Sequence, residues 1–68
     1  MTAERVRTLL LRGDNLLKSA RPERFGRALE AFEEARAAAR DDDVAPEVRD
    51  LVERRIEALS QLMGNASS

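Results

Sequence analysis

Apolar side chains recur at three- and four-residue steps through three stretches of this chain, the pattern of helices that each bury one face. In the first stretch Val6, Leu9, Leu10, Gly13, Leu16, Leu17 and Ala20 share one stripe, which predicts a helix over about 3–20. Thr2 stands where an N-cap is wanted, and Glu4 sits in the first turn, where the helix dipole favours a negative charge. Gly13 lies in the middle of the stripe, where glycine costs about 1 kcal/mol of helix propensity against alanine. The expected return is that a second helix can approach closely. Leu11 falls on the opposite face among Arg7, Asp14, Asn15 and Lys18, and reads as a single exposed leucine.

Pro22 breaks the pattern, because proline disfavours helix in the residue before it and is tolerated in a first helical turn. A second helix is predicted over about 22–40, with Phe25, Ala28, Leu29, Phe32, Ala35 and Ala39 as its stripe. Ala31 and Ala38 widen that stripe, which suits a helix packed between two others. Asp41-Asp42-Asp43 ends this segment badly and begins the next one well, so the run reads as a turn plus an N-cap. The third helix is predicted over about 45–63, with Val48, Leu51, Val52, Ile56, Leu59, Leu62 and Met63 on one face. Gly64 is expected to end it in a left-handed conformation, leaving 64–68 as a flexible tail. Acid-to-base pairs at i,i+4 (Asp14–Lys18, Glu23–Arg27, Asp50–Arg54) agree with all three assignments.

Short connections make adjacent helices antiparallel. The fold class expected is therefore all-α, an antiparallel three-helix bundle in a single domain over 2–63. Of the apolar residues eleven are alanines, which leaves eighteen large side chains for a core in 68 residues. A core this small rarely nets more than about 3–5 kcal/mol without a staple. Neither cysteine nor histidine is present, so a disulfide is impossible and a structural zinc site is not expected. Tight helix packing or association with another chain is the remaining source of stability, so self-association or a permanent protein partner is expected, with a homo-oligomer foremost.

The net charge of −1 conceals an asymmetry: residues 1–27 carry +4 and residues 28–68 carry −5. The sum argues against bulk attraction to nucleic acid or to an anionic membrane. The longest apolar run, Leu9-Leu10-Leu11, is far short of the ~20 residues that span a bilayer. No apolar stretch of the kind found in secretory leaders follows Met1-Thr-Ala-Glu-Arg. A cytoplasmic, soluble protein is the expectation.

The spacing Leu9-x2-Arg12-Gly13-x2-Leu16, then Ala28-x3-Phe32 and Ala35, then Pro46, resembles the tetratricopeptide repeat. Arg12 stands where the family has an apolar residue, both aromatic positions of the first helix are aliphatic, and both intervals are longer than the standard repeat. The resemblance covers about residues 6–46, with the third segment as a following or capping helix. The long second helix and Glu53-Arg54-Arg55-Ile56-Glu57-Ala58-Leu59 are also similar to the microtubule-interacting and transport domain, a three-helix relative. Both resemblances imply a module that docks a helix or a peptide tail of another protein.

Catalysis is poorly served, since histidine, cysteine, tyrosine and tryptophan are all absent and no glycine-rich phosphate loop exists. The carboxylates alternate with arginines at helix-surface spacing, and no cofactor is expected. Lys18, Arg21, Arg24 and Arg27 cluster around the first turn, which makes nucleic-acid binding the best competitor from another class. Glu47, Asp50, Glu53 and Glu57 on the third helix argue against it. Arg55 falls inside the third stripe, flanked by Leu51, Val52, Ile56 and Leu59. It either snorkels past the edge of the core or pairs with a carboxylate of the second helix, such as Glu30 or Glu34, or it faces a groove and grips an acidic residue of a partner. Leu10, Leu17, Leu62 and Met63 extend an apolar strip that would serve as a dimer seam. Together with the Leu51, Arg55 and Leu59 face, they form the expected contact surface.

Overall fold

The structure, a computed structural model, describes residues 2–41 and 43–67, with the backbone alone for Thr2 and for 65–67. It is an antiparallel bundle of three helices: α1 (Thr2–Lys18), α2 (Arg24–Ala38) and α3 (Pro46–Ser67). α2 is the central element, packed extensively on α1 and less so on α3, while α1 and α3 touch least.

The connections show why the helices begin and end where they do. α1 closes with the Ser19 N–H donating to the Leu16 carbonyl at 3.1 Å, a tightened last turn that stops at Lys18 rather than at the expected residue 20. Ala20 is therefore in the connection and exposed. Pro22 does not open α2. The Arg24 N–H donates to the Arg21 carbonyl at 3.2 Å, which makes Pro22 the second residue of a turn, where its fixed φ is favoured. Glu23 takes the N-cap position with φ −80° and ψ 2°, without a side-chain cap. At the far end Ala39 donates to the Ala35 carbonyl at 2.9 Å and α2 stops short of Arg40.

The second connection is built on Asp41. Its Oδ1 accepts the Asp43 N–H at 3.0 Å, and its carbonyl accepts Arg49 Nη2 at 3.2 Å and the Val44 N–H at 3.0 Å. The aspartate run thus shapes the turn, but the residue at the head of α3 is Ala45, whose carbonyl accepts from Val48 and Arg49. Pro46 occupies the first helical position, where its missing N–H leaves nothing unsatisfied. Asp42 lies outside the described residues, as does the Thr2 side chain to which capping was assigned. Gly64 does not stop α3. No described glycine has a positive φ, and the helix runs on to Ser67 where a tail was expected.

Val6, Leu9, Leu10, Ala28, Phe32, Ala35, Val52, Ile56 and Leu59 form the core, closed at the second connection by Val44, which the helical stripes did not include. Phe32 is fully buried and stands against Gly13. A Cβ added at Gly13 would lie 2.8 Å from the ring's Cδ1 and Cζ, and nearer still to Cε1. The absence of a side chain in mid-α1 is what admits the largest core residue of α2. Among the described residues no helix is long and apolar enough to cross a membrane.

Candidate interaction surfaces

Among the described residues, ion pairs from Arg36 and Arg55 tie α3 to the hairpin. Arg36 of α2 meets Glu53 through both carboxylate oxygens, Nε to Oε2 at 2.9 Å and Nη2 to Oε1 at 2.7 Å. That bidentate hydrogen bond from Arg36 lowers the Glu53 pKa below its ordinary value and raises that of Arg36. The second pair joins Arg55 Nη2 to Asp14 Oδ2 of α1 at 3.2 Å, with the two side chains 43% and 30% exposed. The Arg55 partner is thus on the first helix and is neither Glu30 nor Glu34. The guanidinium reaches across the edge of the core instead of projecting from it. Its Nε is buried without a hydrogen-bond partner.

The expected contact surface divides once the helices are packed. Leu10 and Leu59 are 4% and 1% exposed and belong to the core, and Leu17 and Met63 pack against it half-buried. A seam built on Leu10, Leu17, Leu62 and Met63 therefore does not exist at the surface as a whole. Leu10 is buried in the core the three helices share, which periodicity alone does not report. Leu51 and Leu62 are exposed, at 39% and 50%. Leu62 lies eleven positions beyond Leu51, about three helical turns, so both lie on one outer stripe of α3 with exposed Ala58 between them.

A second feature lies where the end of α1 meets the start of α2. An open groove of about 660 Å³ is lined by Leu11 and Leu16 together with Arg12, Arg21, Arg24 and Arg27. No carboxylate is among its lining residues. Leu11 is 62% exposed, the most exposed large apolar side chain described. Arg24 is held in place: its Nη1 donates to the Arg21 carbonyl at 3.1 Å, and its guanidinium lies 4.5 Å from the centre of the Phe25 ring. Among the described residues Arg12, Arg21 and Arg27 take part in no ion pair, so their donors face solvent.

Sequence reasoning grouped Arg21, Arg24 and Arg27 with Lys18, and treated Leu11 as isolated. The structure instead brings those three arginines to Arg12 and to Leu11, while Lys18 lies outside the groove. The signal was present in two parts: Thr8, Leu11, Arg12 and Asn15 share the outer α1 face, and arginines recur at i, i+3 and i+6 from Arg21. Only the antiparallel turn at Pro22 joins the two.

No group of three or more metal-ligating side chains is present among the described residues. Comparison of the chain with family models, with curated proteins and with solved structures finds no match.

Proposed function

We propose that this protein is a small non-enzymatic interaction module that docks a helix or peptide of another protein. The observation that carries the reading is the groove over Leu11 and Leu16. A chain with few large apolar residues leaves two of its leucines around an open concavity on one face of the hairpin, where water meets them at a free-energy cost. The absence of histidine, cysteine, tyrosine and tryptophan supports binding over catalysis. The resemblance to tetratricopeptide and microtubule-interacting and transport domains supports the same reading. So do the two exposed leucines of α3, which offer a second, smaller contact stripe.

Selection from a library of displayed helical peptides tests this reading, with the wild-type protein as bait and Leu11→Asp as counter-bait. Enriched sequences that the counter-bait fails to retain are the expected result. A selection with no enrichment, or one indifferent to Leu11, overturns the proposal.

A further inference from the structure

We infer that the groove between α1 and α2 takes an acidic peptide segment bearing a large aliphatic anchor. The anchor settles against Leu11 and Leu16, and flanking carboxylates meet Arg12, Arg21, Arg24 and Arg27. This inference rests on the interaction-module reading and adds the chemistry of the partner to it.

Charge supplies the first argument. Four guanidinium groups and no carboxylate line a groove in a chain whose net charge is −1. Their accumulation is local, because residues beyond 27 carry a net −5. Arg12 and Arg27 also border an adjoining cavity with Glu30 and Glu34, which offset part of their charge, and an acidic partner relieves the repulsion left among the four on binding. Guanidinium is also the group best shaped for carboxylates, which it grips with two parallel N–H donors.

The second argument comes from the apolar lining. A groove built for phosphate alone has no use for two leucines among the cations, whereas a peptide anchor buries itself against them. No aromatic side chain lines the groove: Phe32 is fully buried in the core, and Phe25 lies half-buried beneath Arg24. Single-stranded nucleic acid relies on aromatic faces for stacking, and here only leucine is offered. A second copy of the chain fits less well than an acidic segment. The exposed α3 patch around Leu51 carries Glu47 and Asp50 but also Arg54, which the groove would repel.

Preorganisation is the third. The Arg21 carbonyl and the Phe25 ring already hold Arg24, so part of the ordering cost of binding is met before a ligand arrives.

The test uses the full chain and three labelled helical peptides followed by fluorescence anisotropy. One carries leucine flanked by glutamates, one has the glutamates replaced by lysines, and one has the leucine replaced by serine. Saturable binding of the first alone is expected, weakening with salt, with amide NMR shifts confined to residues around Leu11, Arg12 and Arg24–Arg27. Arg12→Glu/Arg27→Glu should lower its affinity about tenfold or more, and Arg54→Glu on α3 should leave it unchanged. Arg12→Gln/Arg27→Gln serves if the charge reversal disturbs the fold, as judged by helical circular dichroism. Equal binding of the lysine peptide, no binding of any peptide, or shifts confined to α3 would overturn the inference. So would tight binding of an oligonucleotide, or self-association abolished by the arginine variants, because each names a different occupant. Library peptides that depend on Leu11 yet are neutral or basic would leave the interaction module standing and sink the acidic partner alone.

Discussion

The edge of the Phe32 ring occupies the volume that a side chain at position 13 would need. Gly13 and Phe32 thus form one packing unit, and the helix-weakening glycine is the condition for the tight α1–α2 contact. Gly13→Ala gains about 1 kcal/mol of helix propensity, but overpacking a filled core costs about 1–3 kcal/mol. The ring is fully buried among core neighbours and would have to shift to admit the methyl group, so the second effect wins and the variant should be destabilised. Chemical denaturation checks the sign. Phe32→Leu costs stability by itself, and in its background Gly13→Ala should become neutral or favourable, a coupling visible in a double-mutant cycle.

The other glycines reverse the outcome. Gly26 in α2 and Gly64 in α3 have nothing within 4 Å of an added Cβ, and both are helical and exposed. Alanine at either position should stabilise by about 0.5–1 kcal/mol. Urea midpoints of the two variants check the sign, and a loss at Gly26 would contradict the open space beside it.

Leu10 and Leu11 are neighbours with opposite roles. Leu10→Ala removes a side chain that is 4% exposed and should cost about 2–5 kcal/mol, enough to unfold much of a domain of this size at ordinary temperature. Leu11→Gln, at a site 62% exposed, should leave the melting temperature nearly unchanged while abolishing peptide binding. Parallel thermal melts of the two variants decide it.

The Asp14–Arg55 pair should respond asymmetrically. Arg55→Met replaces a guanidinium whose Nε is buried and unpartnered with an apolar chain of similar length, among apolar neighbours. Its stability should stay within about 0.5 kcal/mol of wild type or rise. Asp14→Asn leaves the cation without its counter-charge and should cost up to about 1 kcal/mol, the modest value reflecting its partial exposure. A larger loss for Arg55→Met than for Asp14→Asn would contradict this account.

Acid should loosen the contact between α2 and α3. The hydrogen bond from Arg36 lowers the Glu53 pKa below the ordinary 4.5. A lowered carboxylate pKa means that the contribution of the pair is fully present above the unfolded-state value. It is lost as pH falls through the lower folded-state value. Wild-type stability should therefore fall in the acid range below about pH 4.5, and Glu53→Gln should show a shallower fall across that window. Urea midpoints measured from neutral pH downward report both slopes.

Much of the architecture was legible in the residues. Three helices, the breaks near Pro22 and the aspartate run, the stripes themselves and the role of Gly13 all follow from helical periodicity, which each residue reports about its immediate neighbours. Helix ends were less legible, because they depend on single hydrogen bonds. The Arg24-to-Arg21 bond moved the start of α2 beyond Pro22, and Gly64 stayed helical although its type permits a stop.

The surfaces were decided by packing. Periodicity places Leu10 and Leu59 on apolar stripes, but whether an edge of a stripe is covered depends on how far each helix is rotated toward its neighbour. Arg55 found its carboxylate forty-one positions away on α1, a pairing that no local pattern specifies. The groove likewise needs Leu11 and Arg12 from one helix and Arg21, Arg24 and Arg27 from the other side of a turn. Sequence alone determined which segments are helical and which faces are apolar, since both are properties of residues within a few positions of each other. Tertiary structure alone decided which leucines are core and which arginines gather, since those depend on contacts between residues far apart along the chain.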